Sequence, residues 1–69
     1  MWERLSERQR HVGLLLIEGH TDKEIAQVLG VEPVTVKRHM MGIRARLEAR
    51  NRVDAAVKLA VTRRVDSAE

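Results

Sequence analysis

Apolar residues recur at helical spacing along the chain, and no stretch shows the alternation that a strand requires. The first such run follows Ser6, which stands three residues ahead of Gln9 in the pattern of a reciprocal N-terminal cap. A helix is predicted over about residues 7–18, with Val12, Leu15 and Leu16 turned inward and Gly19 as a left-handed stop. Gly13 falls inside it. Glycine there costs about 1 kcal/mol relative to alanine, so a neighbouring helix is expected to come close at that point.

Thr21-Asp22-Lys23-Glu24 repeats the capping pattern and opens a short helix over about residues 22–29. Its buried stripe is Ile25, Ala26 and Leu29, and Gly30 closes it. Only Gly30-Val31-Glu32 separates it from Pro33, which leaves room for a tight turn. Proline suits a helix's first turn, where its missing N–H is not needed. The third helix is expected over about residues 33–48, with Val36, Ile43 and Leu47 facing the core and Met40 near its edge. After a break at "ARN", Asn51 can cap a fourth helix over about residues 52–62, and the closing "VDSAE" is expected to fray. The reading is an all-α, four-helix domain spanning residues 1–69.

Composition limits what such a domain can do. Sixty-nine residues make one small core, which self-association would help. The chain has no cysteine, and none of its three histidines pairs with another at helical spacing or with clustered carboxylates. Disulfides, a metal site and a cofactor are therefore not expected. Ser6 and Thr21 read as caps, since no base is placed to activate them, and Glu24 has no second carboxylate for acid–base work. No enzymatic activity is expected. No apolar run approaches the roughly 20 residues of a membrane span, and no basic-then-apolar leader opens the chain. A cytoplasmic protein with no small-molecule ligand is the expectation.

The net charge of +3 is a modest excess, so its placement matters more than its size. A short helix, a three-residue turn with glycine and a longer helix form the sequence pattern of a helix-turn-helix. At about 100° per residue, Val36, Met40, Ile43 and Leu47 of the third helix share one side, while Val34, Lys37, Arg38 and Met41 share the other. No acidic residue occurs from Pro33 through Leu47, whereas a merely solvated face tends to mix signs at i, i+4. The pattern suits a helix laid in the major groove of double-stranded DNA. Lys37 and Arg38 would donate to guanine, and Val34 and Met41 would touch thymine methyls. Thr21, Lys23, Thr35, His39, Arg44, Arg46, Asn51 and Arg52 are the candidate phosphate contacts.

Residues Leu5 to Ala60 resemble the C-terminal DNA-binding domain of LuxR/NarL-type bacterial transcription regulators. The resemblance rests on "LSERQ", "EGHTDKEIAQVLGV", "TVKRH" and "ARNRVDAA", in order and at matching spacing. It implies a four-helix domain whose second and third helices form the helix-turn-helix and whose fourth is a dimerisation surface. It also implies DNA as the ligand, a structural role for Glu24, a phosphate contact at Lys23, and Thr35, Val36, Lys37 and His39 opening the recognition helix. The chain departs from that pattern at four places. Glu32 stands where Ser or Thr is usual, Val34 and Met41 where polar or basic residues are common, and Leu14 where a charge is typical. No sensory domain precedes the motif, so an excised domain and a small stand-alone regulator are both open.

The fourth helix spreads apolar residues over about two thirds of its circumference, more than a surface helix needs. A symmetric homodimer through Val53, Val57, Ala60 and Val61 is expected, with RNA polymerase as a further partner. Two other readings compete. A sigma-factor promoter domain shares a similar "EIA…LG…TVK" run but normally ends with its recognition helix. A protein–protein adaptor would use the apolar fourth helix, or Leu14, to dock on a larger partner.

Overall fold

The structure is a computed structural model and describes residues 2–67. A single 3-10 turn, Trp2–Arg4, precedes four helices: α1 (Glu7–Ile17), α2 (Asp22–Leu29), α3 (Pro33–Leu47) and α4 (Arg52–Ser67). Among the described residues there is no strand. The all-α expectation holds, and the four helices begin at the expected positions 7, 22, 33 and 52. The fourth helix runs five residues past the expected Thr62. No glycine or proline follows Asn51 to stop it, and Arg63 and Arg64 favour continuation because cations suit the C-terminal half of a helix dipole. Of the segment expected to fray, residues 68–69 lie outside the described residues.

The helix starts are secured by side chains acting reciprocally. Ser6 Oγ accepts from the Gln9 N–H at 3.1 Å while Gln9 Oε1 accepts from the Ser6 N–H at 2.9 Å. Thr21 and Glu24 repeat the arrangement at 3.2 and 2.8 Å. At α4, Asn51 Oδ1 accepts from the Asp54 N–H at 2.8 Å, and Asp54 Oδ2 reaches back to the Arg50 N–H at 2.8 Å. The start of α3 differs: Glu32 makes no side-chain cap hydrogen bond, and Pro33 supplies the helical φ instead.

Three helix ends close alike. Gly19 (φ 91°), Gly30 (φ 68°) and Glu48 (φ 53°) are left-handed. The following residue in each case donates back across five positions, His20 to Leu15 O, Val31 to Ala26 O and Ala49 to Arg44 O. Glu48 does the work of a glycine with a Cβ in place. The third helix therefore stops at Leu47, one residue short of the expected end. Lys58 of α4 reinforces that stop, donating from Nζ to Glu48 O at 3.0 Å and to Leu47 O at 3.4 Å.

The core is Leu5, Val12, Leu16, Ile25, Ala26, Val36, Met40, Ile43, Leu47, Ala55 and Leu59. Met40, expected at the edge, is buried, while Leu15 and Leu29, expected inward, are half-buried against the cluster. Leu14 is half-buried as well. The third helix packs on all three others, and α1 also packs on α4. Gly13 meets its expectation: a Cβ there would lie 3.4 Å from Leu59 and 3.6 Å from the Trp2 ring. Gly42, unremarked in the sequence, faces α1 so closely that a Cβ would stand 2.7 Å from Gln9 Nε2. An added methyl would displace the side chain that completes the Ser6 cap.

Two predictions concern stability, read by denaturant unfolding with Trp2 fluorescence as the probe. Glu48→Gly removes the left-handed penalty but adds unfolded-state freedom, so a net gain of about 0.5–1 kcal/mol is expected. The second concerns pH. The Glu24 carboxyl is held below its usual range chiefly by the Thr21 N–H, then by the Thr21 hydroxyl. The Asp54 carboxyl is held down chiefly by the Arg50 N–H, with Lys58 assisting. A depressed folded-state pKa favours folding fully above the unfolded value, near 4 for these carboxyls. That contribution fades as pH falls through the folded values. Glu24→Gln with Asp54→Asn, which keeps the acceptors but not the titration, should flatten the acid limb of the stability profile below about pH 4.5. A limb as steep as the wild-type one would remove these two groups as its source.

Candidate nucleic-acid interface

The outer side of α3 follows from its inner side. Burial of Val36, Met40, Ile43 and Leu47 fixes the helix's rotation about its axis. Val34, Lys37, Arg38 and Met41 then fall within an arc of about 100° on the opposite side, and all four are exposed. Val34 is 57% and Met41 68% exposed, unusual values for large apolar side chains. Neither Lys37 nor Arg38 makes a hydrogen bond or ion pair among the described residues. Thr35 and His39 flank this strip and are half-buried. Nothing acidic interrupts it between Pro33 and Leu47, and the nearest carboxylate in sequence is Glu32, exposed at the helix start.

The cations expected at phosphates divide into two groups. Arg44 Nη2 donates to Arg50 O at 2.7 Å, and Arg46 Nη1 donates to Arg4 O at 2.9 Å. Both sit in the last turn of α3 and tie that end to the following loop and to the N-terminal turn, where the dipole favours positive charge. Arg52 pairs through Nη1 with Asp22 Oδ1 and donates from Nη2 to His20 O at 2.7 Å. These three guanidinium groups hold elements of the domain together through some of their N–H donors. The sequence showed their charge and helix position but not the carbonyls that a fold brings within reach.

The Arg52 bridge also positions the opposite edge of the helix pair. It fastens the first turn of α4 to the first turn of α2, so Asn51, the α4 cap, and Thr21, the α2 cap, belong to one joined corner. Lys23 projects from the first turn of α2, exposed and without an internal partner among the described residues. Glu24 acts as the structural residue the resemblance implied, its carboxylate closing the α2 cap with His20 Nδ1 at 3.8 Å. Asp22 was not singled out in the sequence. Acidic residues at an N1 position are common enough to carry no signal by themselves.

The outward face of α4 carries Val53, Val57 and Val61, successive at i, i+4 and i+8, exposed by 72%, 56% and 56%. Ala55 and Leu59 take the inward face, and Ala60 is half-buried beside Ile17. Among the described residues no group of three or more His, Asp or Glu side chains is placed to hold a metal ion. No helix of the described residues is long and apolar enough to cross a membrane.

The chain is 40% identical over 58 residues to the candidate HTH-type transcriptional regulator YhjB of Escherichia coli, covering 84% of this chain and 29% of that protein. It is 33% identical over 57 residues to the response regulator protein VraR of Staphylococcus aureus, and equally to VraR of Staphylococcus epidermidis, covering 83% of this chain and 27% of each of those proteins. The chain thus spans less than a third of the length of these relatives. No solved structure gives a significant match. The family of bacterial regulatory proteins of the luxR type matches residues 3–59, nearly the whole of the four-helix core. The chain belongs to that luxR family and is a DNA-binding transcription-regulator domain rather than an enzyme.

Proposed function

We propose that this domain lays α3 in the major groove of double-stranded DNA and that two copies, joined through α4, read two half-sites about one helical turn apart. The observation that carries the reading is the strip on α3: two cations without internal partners, two exposed apolar side chains, and no acid along the helix. Lys37 and Arg38 donate to base edges, and Val34 and Met41 contact the groove floor. Thr21, Lys23, Thr35, His39 and Asn51 face phosphates along the flanks. Arg44, Arg46 and Arg52 face phosphates as well, while fixing the C-terminal end of α3 and the joined starts of α2 and α4.

The pairing surface is the valine stripe of α4. Three exposed valines at helical spacing, with Ala60 at the margin, are more apolar surface than a helix of a small monomer ordinarily leaves in water. A second copy of the same stripe covers it symmetrically. As a domain of longer regulators, the chain would turn an upstream signal into promoter occupancy, with RNA polymerase as the neighbouring partner. The adaptor reading draws on the same valines but leaves the strip on α3 without a purpose. The sigma-factor reading has no use for α4.

Lys37→Ala should weaken binding to genomic fragments in gel shifts and make the dependence of log affinity on log salt shallower, by up to about 0.9 if the lysine neutralises one phosphate. Equal affinity for wild type and variant at every salt concentration would count against α3 as the reader. Val57→Asp should leave folding within about 0.5 kcal/mol of wild type, as expected at an exposed site. On a duplex with two half-sites it should lower apparent affinity and show single occupancy by sedimentation. Double occupancy with unchanged affinity would dismiss α4 as the pairing surface.

A further inference from the structure

We infer that the strip on α3 reads pyrimidine 5-methyl groups: two of them, about three base pairs apart in the major groove, one against Val34 and one against Met41, with guanine between them for Lys37 and Arg38. The inference rests on the DNA reading above and specifies the sites that reading would select.

Val34 and Met41 are the two large apolar side chains that α3 leaves exposed; the other exposed ones among the described residues, Val28, Val53, Val57 and Val61, belong to α2 and α4. Apolar groups at the two ends of a cationic strip contribute nothing to phosphate attraction. Their complement in a major groove is the C5-methyl of thymine, the apolar group that an unmodified base edge presents there. 5-Methylcytosine carries the same group at the same ring position.

Spacing and shape agree. Seven residues, about two turns, advance roughly 10.5 Å along the helix axis, close to three base-pair steps of about 3.4 Å. Lys37 follows Val34 by three residues and Arg38 precedes Met41 by three, so each cation sits about one turn from an apolar neighbour on the same strip. Val34 is β-branched and stiff, which makes its contact position-sensitive. Met41 is flexible and polarisable, and it follows a methyl through small changes of docking angle.

Rejection works in the same direction as attraction. A guanine opposite Met41 would bury O6 and N7 against a side chain that donates nothing, leaving both acceptors unpaired. A lysine or arginine at position 41 would welcome that guanine; methionine excludes it.

The test uses the whole chain and a random duplex pool. Bound duplexes are selected at low salt, and the enriched sequence is then synthesised with deoxyuridine replacing thymidine, which deletes the methyl and nothing else. Wild type should lose roughly fourfold in affinity per contacted methyl and about fifteenfold for the pair, by the transfer value of one buried carbon. The Val34→Ala, Met41→Ala double variant, whose folding is checked by circular dichroism and Trp2 fluorescence, should lose less than about twofold on the same exchange. Equal wild-type affinity for thymidine and deoxyuridine duplexes, with preference over random DNA retained, overturns the methyl inference and leaves DNA reading intact. Failure to retain any duplex at low salt overturns both. Where the thymidine effect is present, placing cytosine or 5-methylcytosine at the two positions assigns its source. Recovery by 5-methylcytosine means that the methyl alone is read, and no recovery means that the rest of the thymine edge is read with it.

Discussion

The rotation of α3 about its own axis is the constraint on which the rest of this small domain depends. Four buried side chains on one stripe, Val36, Met40, Ile43 and Leu47, meet α1, α2 and α4 at once. A helix held from three sides cannot turn without exposing one of them, and each such side chain is worth about 1.5–3 kcal/mol of burial. The arc that remains outside is therefore determined by the arc that is inside. Lys37 and Arg38 face solvent because the core lies on the other side of the helix. Their own local preferences have little part in it.

A stripe fixes rotation but not where a helix begins and ends, and here polar chemistry takes over. The starts of α1, α2 and α4 are closed by side chains three residues apart, and the ends of α1, α2 and α3 by a left-handed residue and a returned N–H. Between elements, Arg44, Arg46, Arg52 and Lys58 donate to backbone carbonyls that helix termini and loops leave without a partner. A 69-residue chain with one aromatic residue has little apolar volume to spend on orientation. Long cationic side chains do part of that work instead, with their stems along the surface and their heads on carbonyls.

What was legible in the sequence follows this division. Caps and periodicity are local signals, so the four helices, their starts, the Gly13 approach and the exposed strip on α3 could all be read from the chain. The errors fall where distant residues meet. Met40 lies on the margin of its helix's stripe by angle, and only the neighbours packed around it decide that it is covered. The inward bonds of Arg52 are not legible in the sequence, because Asp22 and His20 O lie about thirty residues earlier, beyond any local pattern. The left-handed turn at Glu48 went unseen because glycine is the usual marker and the chain places a glutamate there. The α4 overrun has the opposite cause: a weak composition was read as a stop although nothing in it breaks a helix.

The same division explains how one helix can be part of the core and remain free for a ligand. Cations in the second half of α3 are used at its C-terminal end, where the helix dipole and nearby carbonyls compete for them. In the first half, Lys37 and Arg38 have no internal partner among the described residues. Glu32, the nearest acid in sequence, makes no side-chain capping hydrogen bond. Lys37 and Arg38 are therefore left to solvent by the fold, and a polyanion that docks on this half of α3 meets charge that no intramolecular pair has to give up.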